Sequence, residues 1–153
     1  MKKLLLLGGA AFLASTYFGK QKITEIRNVI DSLILRVNGI RNFKFDLTGL
    51  NFDIDLNITN PTTENLNLQT GNMITLRRLL FYTDQGEFIG QSFPNLTGIE
   101  IPANGTINIA NLRTHIDTGN IGTLINNAIG LFIDPSKLQV KAEIESLGKL
   151  YTI

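Results

Sequence analysis

Residues 50–61 read LNFDIDLNITNP. Leu50, Phe52, Ile54, Leu56 and Ile58 share one parity, and Asn51, Asp53, Asp55, Asn57 and Thr59 share the other. Successive side chains of an extended strand point to opposite faces. Ten residues of unbroken alternation therefore predict a strand with one face in a core and the other in water. Asn60-Pro61 ends it, because proline has no N–H for the ladder and biases the residue before it away from helix.

Downstream, short apolar runs and turn signals recur at the spacing of a β-sandwich. Leu66 and Leu68 alternate before Gly71-Asn72, and Leu76–Tyr82 predicts a strand. Asp84-Gln85-Gly86 then predicts a turn into Phe88-Ile89. Gly98–Ile101 predicts a further strand, Pro102-Ala103-Asn104-Gly105 a turn, and Ile107 and Ile109 its hairpin partner, extending to Ile116. Asp117 or Thr118 can cap a helix over Thr118–Phe132 with Ile121, Leu124, Ile125, Ala128, Ile129 and Phe132 on one face. Asp134-Pro135 ends that helix, and Leu138, Val140, Ala142 and Ile144 alternate as the last strand. Leu147-Gly148-Lys149-Leu150 continues to the end of the chain.

Upstream the period is different. Leu4–Phe18 reads LLLLGGAAFLASTYF behind Met1-Lys2-Lys3 and ahead of Gly19-Lys20. This is a charged start followed by an apolar stretch. As a helix, fifteen residues reach only about 22 Å, so a span of the bilayer would need Lys20 and Lys22 to snorkel. Leu4, Leu5, Leu6, Leu7, Phe12 and Leu13 would form the anchor, with Tyr17 and Phe18 at the interface. An uncleaved anchor, a cleaved signal and a buried helix all fit, and the cationic flanks do not set an orientation. Behind the segment, Ile23, Ile26, Ile30 and Leu33 stand three and four apart, which predicts an amphipathic helix over Lys20–Leu35. That helix either packs on the domain or meets an interface or partner. The expected organisation is an apolar anchor or signal over residues 1–19, an amphipathic linker over 20–38, and a sandwich over 39–153.

The charge is divided in the same way. The whole chain of 153 residues carries +1. Residues 1–44 hold eight Lys and Arg against Glu25 and Asp31, a net of +6, so residues 45–153 carry −5. Cations beside an apolar segment suit an anionic lipid surface, and an acidic domain argues against nucleic acid. The chain has no cysteine, which removes disulfides, thiolate metal sites and cysteine nucleophiles.

Few residues invite chemistry. Asp53 and Asp55, with Asp46 nearby, could attract a cation, but they occupy solvent positions of a strand, whereas calcium sites gather six or more oxygens on a loop. His115 is the one histidine, and no second histidine or cysteine exists to complete a zinc site or a triad. No serine lies in a G-x-S-x-G elbow and no glycine-rich loop cradles phosphate. Arg77 and Arg78, as neighbours on a strand, are expected to point to opposite faces. Asn57, Asn95 and Asn104 open N-x-T glycosylation patterns, which matter only in a secretory setting.

The order of these pieces resembles the late embryogenesis abundant type 2 family, also called the water-stress and hypersensitive-response (WHy) domain, over about residues 40–117. The alternating strand ending on Asn60-Pro61-Thr62 stands where the family has its Asn-Pro motif. Ile101-Pro102-Ala103-Asn104-Gly105 before a strand resembles its isoleucine-proline, small residue, glycine signature. The resemblance implies a seven-stranded immunoglobulin- or fibronectin-like antiparallel sandwich without catalytic residues, in proteins linked to stress protection and often tethered to membranes. Thr62-Thr63-Glu64 and the helix at Thr118–Phe132 depart from it. Asn60, Pro61, Ile101, Pro102 and Gly105 are expected to be structural, with Asn60 bonding its own neighbouring backbone at the sandwich rim.

The resulting expectation is a mainly β, non-enzymatic module with a structural or protein-binding role, held at a cell envelope by its N-terminal segment. It takes no cofactor, metal, small-molecule substrate or nucleic acid. The alternative is a structural component of a larger assembly, such as a phage or viral virion, tethered through the same segment.

Overall fold

The computed structural model describes residues 20–67, 73–117, 119, 130 and 134–153. Residues 50–59 form the centre of strand β2, Gly49–Asn60, and every apolar side chain of the alternation is at most 3% exposed. β2 lies between β1, Ile34–Phe45, and β6, Gly105–Asp117, in a three-stranded antiparallel sheet. The second sheet holds β3 (Ile74–Thr83), β4 (Phe88–Ser92), β5 (Leu96–Ile99), β7 (Leu138–Ser146) and β8 (Lys149–Thr152). Its order is β4-β3-β7-β8, and β5 pairs the other half of β3. The inner faces of the two sheets form one apolar core, in which Phe52 of the first sheet meets Phe81 of the second edge-on at 5.6 Å. The protein is an antiparallel β-sandwich.

Three expectations change. First, the apolar spacing predicts a helix to Leu35, but the helix (α1) occupies residues 20–31 and β1 begins at Ile34. Leu33 closes the helical apolar row of Ile26, Val29 and Ile30, and Leu35 packs on the core from the strand that follows. Within β1, irregularities between Val37 and Gly39 and between Arg41 and Lys44 lengthen the step between inward side chains from two to three, so Val37, Ile40 and Phe43 lack the period of two that marks a strand. Second, Ile107 and Ile109 are not the hairpin partner of the preceding strand. β5 pairs β3, whereas β6 pairs β2 from Asn60↔Gly105 to Gly49↔Asp117. The Pro102–Gly105 turn therefore carries the chain from one sheet to the other. Third, Leu147-Gly148 is itself a turn. Both residues have positive φ, 49° and 71°, as a two-residue hairpin with right-handed twist requires, and β8 returns along β7.

The turns around Thr83 and Asp134 agree with the sequence, and the Leu66 segment does not. The turn after β3 closes on Thr83, whose hydroxyl accepts from the N–H groups of Gln85 and Glu87, with Gly86 at φ 82°. Leu66 makes a single bridge to Ile101 rather than a strand. Asp134 caps a 3-10 turn at Pro135–Lys137 that leads into β7. The apolar N-terminal segment, with Leu4, Leu5, Leu6, Leu7, Phe12, Leu13, Tyr17 and Phe18, lies outside the described residues, as do Leu68 and nearly all of Thr118–Phe132. No helix among the described residues is long and apolar enough to cross a membrane.

The helix belongs to the core. Ile26, Val29 and Ile30, with Leu33 just after it, are 7% exposed or less and join the same cluster as β2 and β3. Ile23 and Thr24 lie beside Lys149–Thr152 of β8. Cutting Ile30 back to Ala is expected to cost about 2–5 kcal/mol of unfolding free energy in denaturant titrations, the usual loss for a buried isoleucine. A helix that merely spaced the domain would lose almost nothing.

Candidate functional site

The motif residues meet at one rim. Asn60 is fully buried. Its Oδ1 accepts from the Thr62 N–H at 3.0 Å and the Thr62 hydroxyl at 2.7 Å, and its Nδ2 donates to the Glu64 carbonyl at 2.7 Å. Burying an amide is costly unless its groups are paired, and here the loop behind Pro61 supplies the partners. That loop then rests on the second motif. The Asn104 N–H donates to the Thr62 carbonyl at 2.8 Å, and the Ala103 N–H donates to Asn65 Oδ1 at 2.8 Å. Gly105 lies opposite Asn60, and a β-carbon there would come within 2.4 Å of Pro102 Cγ. Segments at least 38 residues apart in sequence thus build one structural corner. Asn60→Ala is expected to lower stability by about 1–3 kcal/mol, read from chemical denaturation, because the Thr62 and Glu64 groups are left unpaired.

The outer face of the three-stranded sheet is polar along its centre and bonded to itself. Asp55 Oδ1 accepts from Arg41 Nη2 at 2.8 Å and from the Asn111 N–H at 2.7 Å, and Arg41 also donates to Asn111 Oδ1 at 2.8 Å. Asp53 accepts from Asn42 Nδ2 at 2.7 Å. Asn42 and Asn111 both have positive φ and stand at irregularities of β1 and β6. The two carboxylates that could attract a cation instead satisfy bulge residues of the neighbouring strands. Asp46 holds the β1–β2 turn: its Oδ1 accepts from the Thr48 hydroxyl and from the N–H groups of Thr48 and Gly49. The Thr48 hydroxyl bond is the chief cause that keeps its carboxyl below the usual range. Among the described residues no acidic and histidine group is clustered to hold a metal. His115 Nδ1 pairs with Asn51 Oδ1 at 2.7 Å, Asn57 accepts from Asn108 at 2.8 Å, and Thr59 pairs with Thr106 at 2.8 Å.

The outer face of the five-stranded sheet has a different character. Arg77 and Arg78 both lie on it, against the expectation that consecutive strand residues diverge. The register between β3 and β7 shifts between Leu76 and Arg78, so one residue is inserted and the two arginines follow each other on the same side. A trace of this was in the sequence. The buried residues Ile74, Leu76, Leu79, Phe81 and Thr83 step by two except for a single three between Leu76 and Leu79. Arg77 Nε donates to Glu145 at 2.5 Å, and that bond raises the guanidinium's pKa. Arg78 grips Glu143 with Nε at 2.7 Å and Nη2 at 2.8 Å, and its Nη1 donates to Gln91 at 3.0 Å. The guanidinium of Arg78 also lies 5.8 Å from the centroid of Phe93. Phe93 and Leu150 remain 59% and 61% exposed on either side of this ladder and line one shallow depression with it. Further along, Lys141 sits 5.3 Å over Tyr82, and Tyr82 meets Phe88 edge-on at 5.6 Å.

The glycosylation patterns are sorted by the fold. Asn57 lies on the central strand with its amide engaged, whereas Asn95 and Asn104 are exposed in turns with positive φ.

No protein-family model and no curated protein matches the chain. Among solved structures it is similar to a protein from Archaeoglobus fulgidus, with 7% identity, TM-score 0.38, and 80% of this chain and 87% of that one covered. It is also similar to β-glucuronidase from Bacteroides uniformis, with 14% identity and TM-score 0.32, covering 78% of this chain but 12% of that enzyme. Likenesses this distant say nothing about activity.

Proposed function

We propose that the chain is a non-enzymatic β-sandwich module, tethered to a membrane through residues 4–18, that holds a protein partner on the outer face of its five-stranded sheet. The observation that carries this reading is the contrast between the two outer faces. On one, the central strand shows only Asn, Asp and Thr, and these are bonded to neighbouring strands. On the other, Tyr82, Phe88, Phe93, Leu80 and Leu150 surround paired arginines. Protein interfaces are enriched in aromatic residues and arginine, and a water-facing sheet has no need of them.

The tether is supported by the apolar composition of residues 4–18 and by the cationic residues around them. The WHy-like reading is supported by the contact of Asn60-Pro61-Thr62 with Pro102–Gly105, since the two parts of the motif act as one corner. A stress-protective role comes from that resemblance alone. The assembly reading, in which the chain is a component of a virion or similar particle, is favoured by the balanced charges of the same face, which can meet their own kind.

Amine-reactive cross-linking of the chain in its native membrane or particle tests the contact face. Lys141 lies on the proposed face, opposite Leu80, and Lys44 lies on the polar one, opposite Asn51. Cross-links to other proteins are expected at Lys141 and to be several-fold rarer at Lys44. Equal labelling would remove the argument for this face. Deleting residues 1–19 is expected to move the chain out of the membrane fraction, and continued sedimentation with membranes would end the tether reading.

A further inference from the structure

The partner on this face can be named from its charge pattern. We infer that it is a second copy of the chain, docked face to face about a two-fold axis; the inference rests on the contact face proposed above. Arg78 on β3 stands level with Glu143 on β7, and Arg77, the inserted residue, reaches along the ladder to Glu145, which lies opposite Thr75. A row of positive charge therefore runs next to a row of negative charge. A two-fold axis in the plane of the interface, parallel to the strands and midway between β3 and β7, reverses the left-to-right order of the strands. Each arginine row then faces the partner's glutamate row, with Arg78 of each copy level with Glu143 of the other. Charge complementarity with a copy of itself follows from the layout of one chain.

The apolar flanks obey the same operation. Phe93 lies beyond β3 and Leu150 on β8 beyond β7, both bordering the Arg–Glu ladder. The axis that exchanges β3 with β7 also exchanges these flanks, so Phe93 of each copy lies on the same flank as the partner's Leu150, offset from it by roughly 7 Å along the strands. A strongly acidic or strongly basic partner would find half of the ladder repulsive. A second copy finds every charge opposed and both exposed apolar side chains covered. Two aligned sheets pack in this way with strands within about 30° of each other.

The size is adequate. The five strands of this sheet, each residue covering about 3.3 Å by 4.8 Å, present roughly 500 Å² per copy, or about 1,000 Å² for the pair, the size at which a specific interface begins.

The absence of cysteine makes the test clean. Full-length Phe93→Cys and Leu150→Cys chains, purified separately in mild detergent and treated with a short thiol cross-linker, are expected to couple when mixed and not when alone. Arg78→Glu in both chains is expected to reduce the mixed yield at least fivefold. Adding Glu143→Arg restores both the internal pair and the opposed rows, so the yield should return to within twofold. This rescue separates a lost contact from a misfolded chain. No coupling in the mixture would overturn the inference, as would equal coupling of each variant alone or a yield indifferent to the charge reversal. If coupling fails while Lys141 stays the main cross-linking site in the native setting, another protein occupies the face and only the second-copy inference falls. If Lys141 is also silent, the contact face falls with it.

Discussion

The row Leu50, Phe52, Ile54, Leu56 and Ile58 is the constraint on which the rest of the molecule depends. These side chains sit on the central strand of the smaller sheet, so they need one neighbour on each side and a second layer above. β1 and β6 supply the neighbours and the five-stranded sheet supplies the layer. At about 1.5–3 kcal/mol for each large apolar side chain fully removed from water, this row alone supplies a sizeable share of the driving force for folding. A one-residue slip would turn all five into solvent and bring Asp53 and Asp55 into the core, so the register is held firmly.

Given that register, irregularities elsewhere become instruments. β1 and β6 each carry extra residues opposite β2, and their unusual backbones are met by the carboxylates of Asp53 and Asp55. The same device in β3 has another effect. Its inserted residue turns Arg77 and Arg78 to one side, where β7 presents two glutamates. In the first sheet bulges consume polar groups and leave the central strand's face self-contained. In the second a bulge concentrates paired charge between exposed apolar side chains. The difference between the two outer faces arises from local backbone geometry as much as from composition.

The rim shows how distant motifs become one feature. Asn60 ends β2 and Gly105 begins β6, and antiparallel pairing sets them opposite each other. The buried amide of Asn60 organises the following loop, and that loop takes hydrogen bonds from the turn ahead of β6. The turn is therefore held while it carries the chain between sheets. Its proline, its asparagine at φ 50° and its glycine are accounted for by that path, without a ligand.

The sequence by itself determined the strands whose alternation is unbroken. β2, the core of β6 and most of β7 were legible, because burial of one face of a regular strand leaves a period of two that nothing local disturbs. The Asn60 corner was legible for the same kind of reason, since its amide bonds to residues two and four further along. The tertiary structure decided the rest. β1 shows no period of two in the sequence because its bulges stretch the apolar step to three. The partner of β6 is β2 rather than the strand before it, because a turn signal marks a reversal but not the sheet on which the chain lands. The Arg77–Arg78 site depends on one inserted residue and on glutamates 65 and 68 positions away. Which residues share a face is local information only while the ladder is regular, and the candidate contact face exists because the ladder is not.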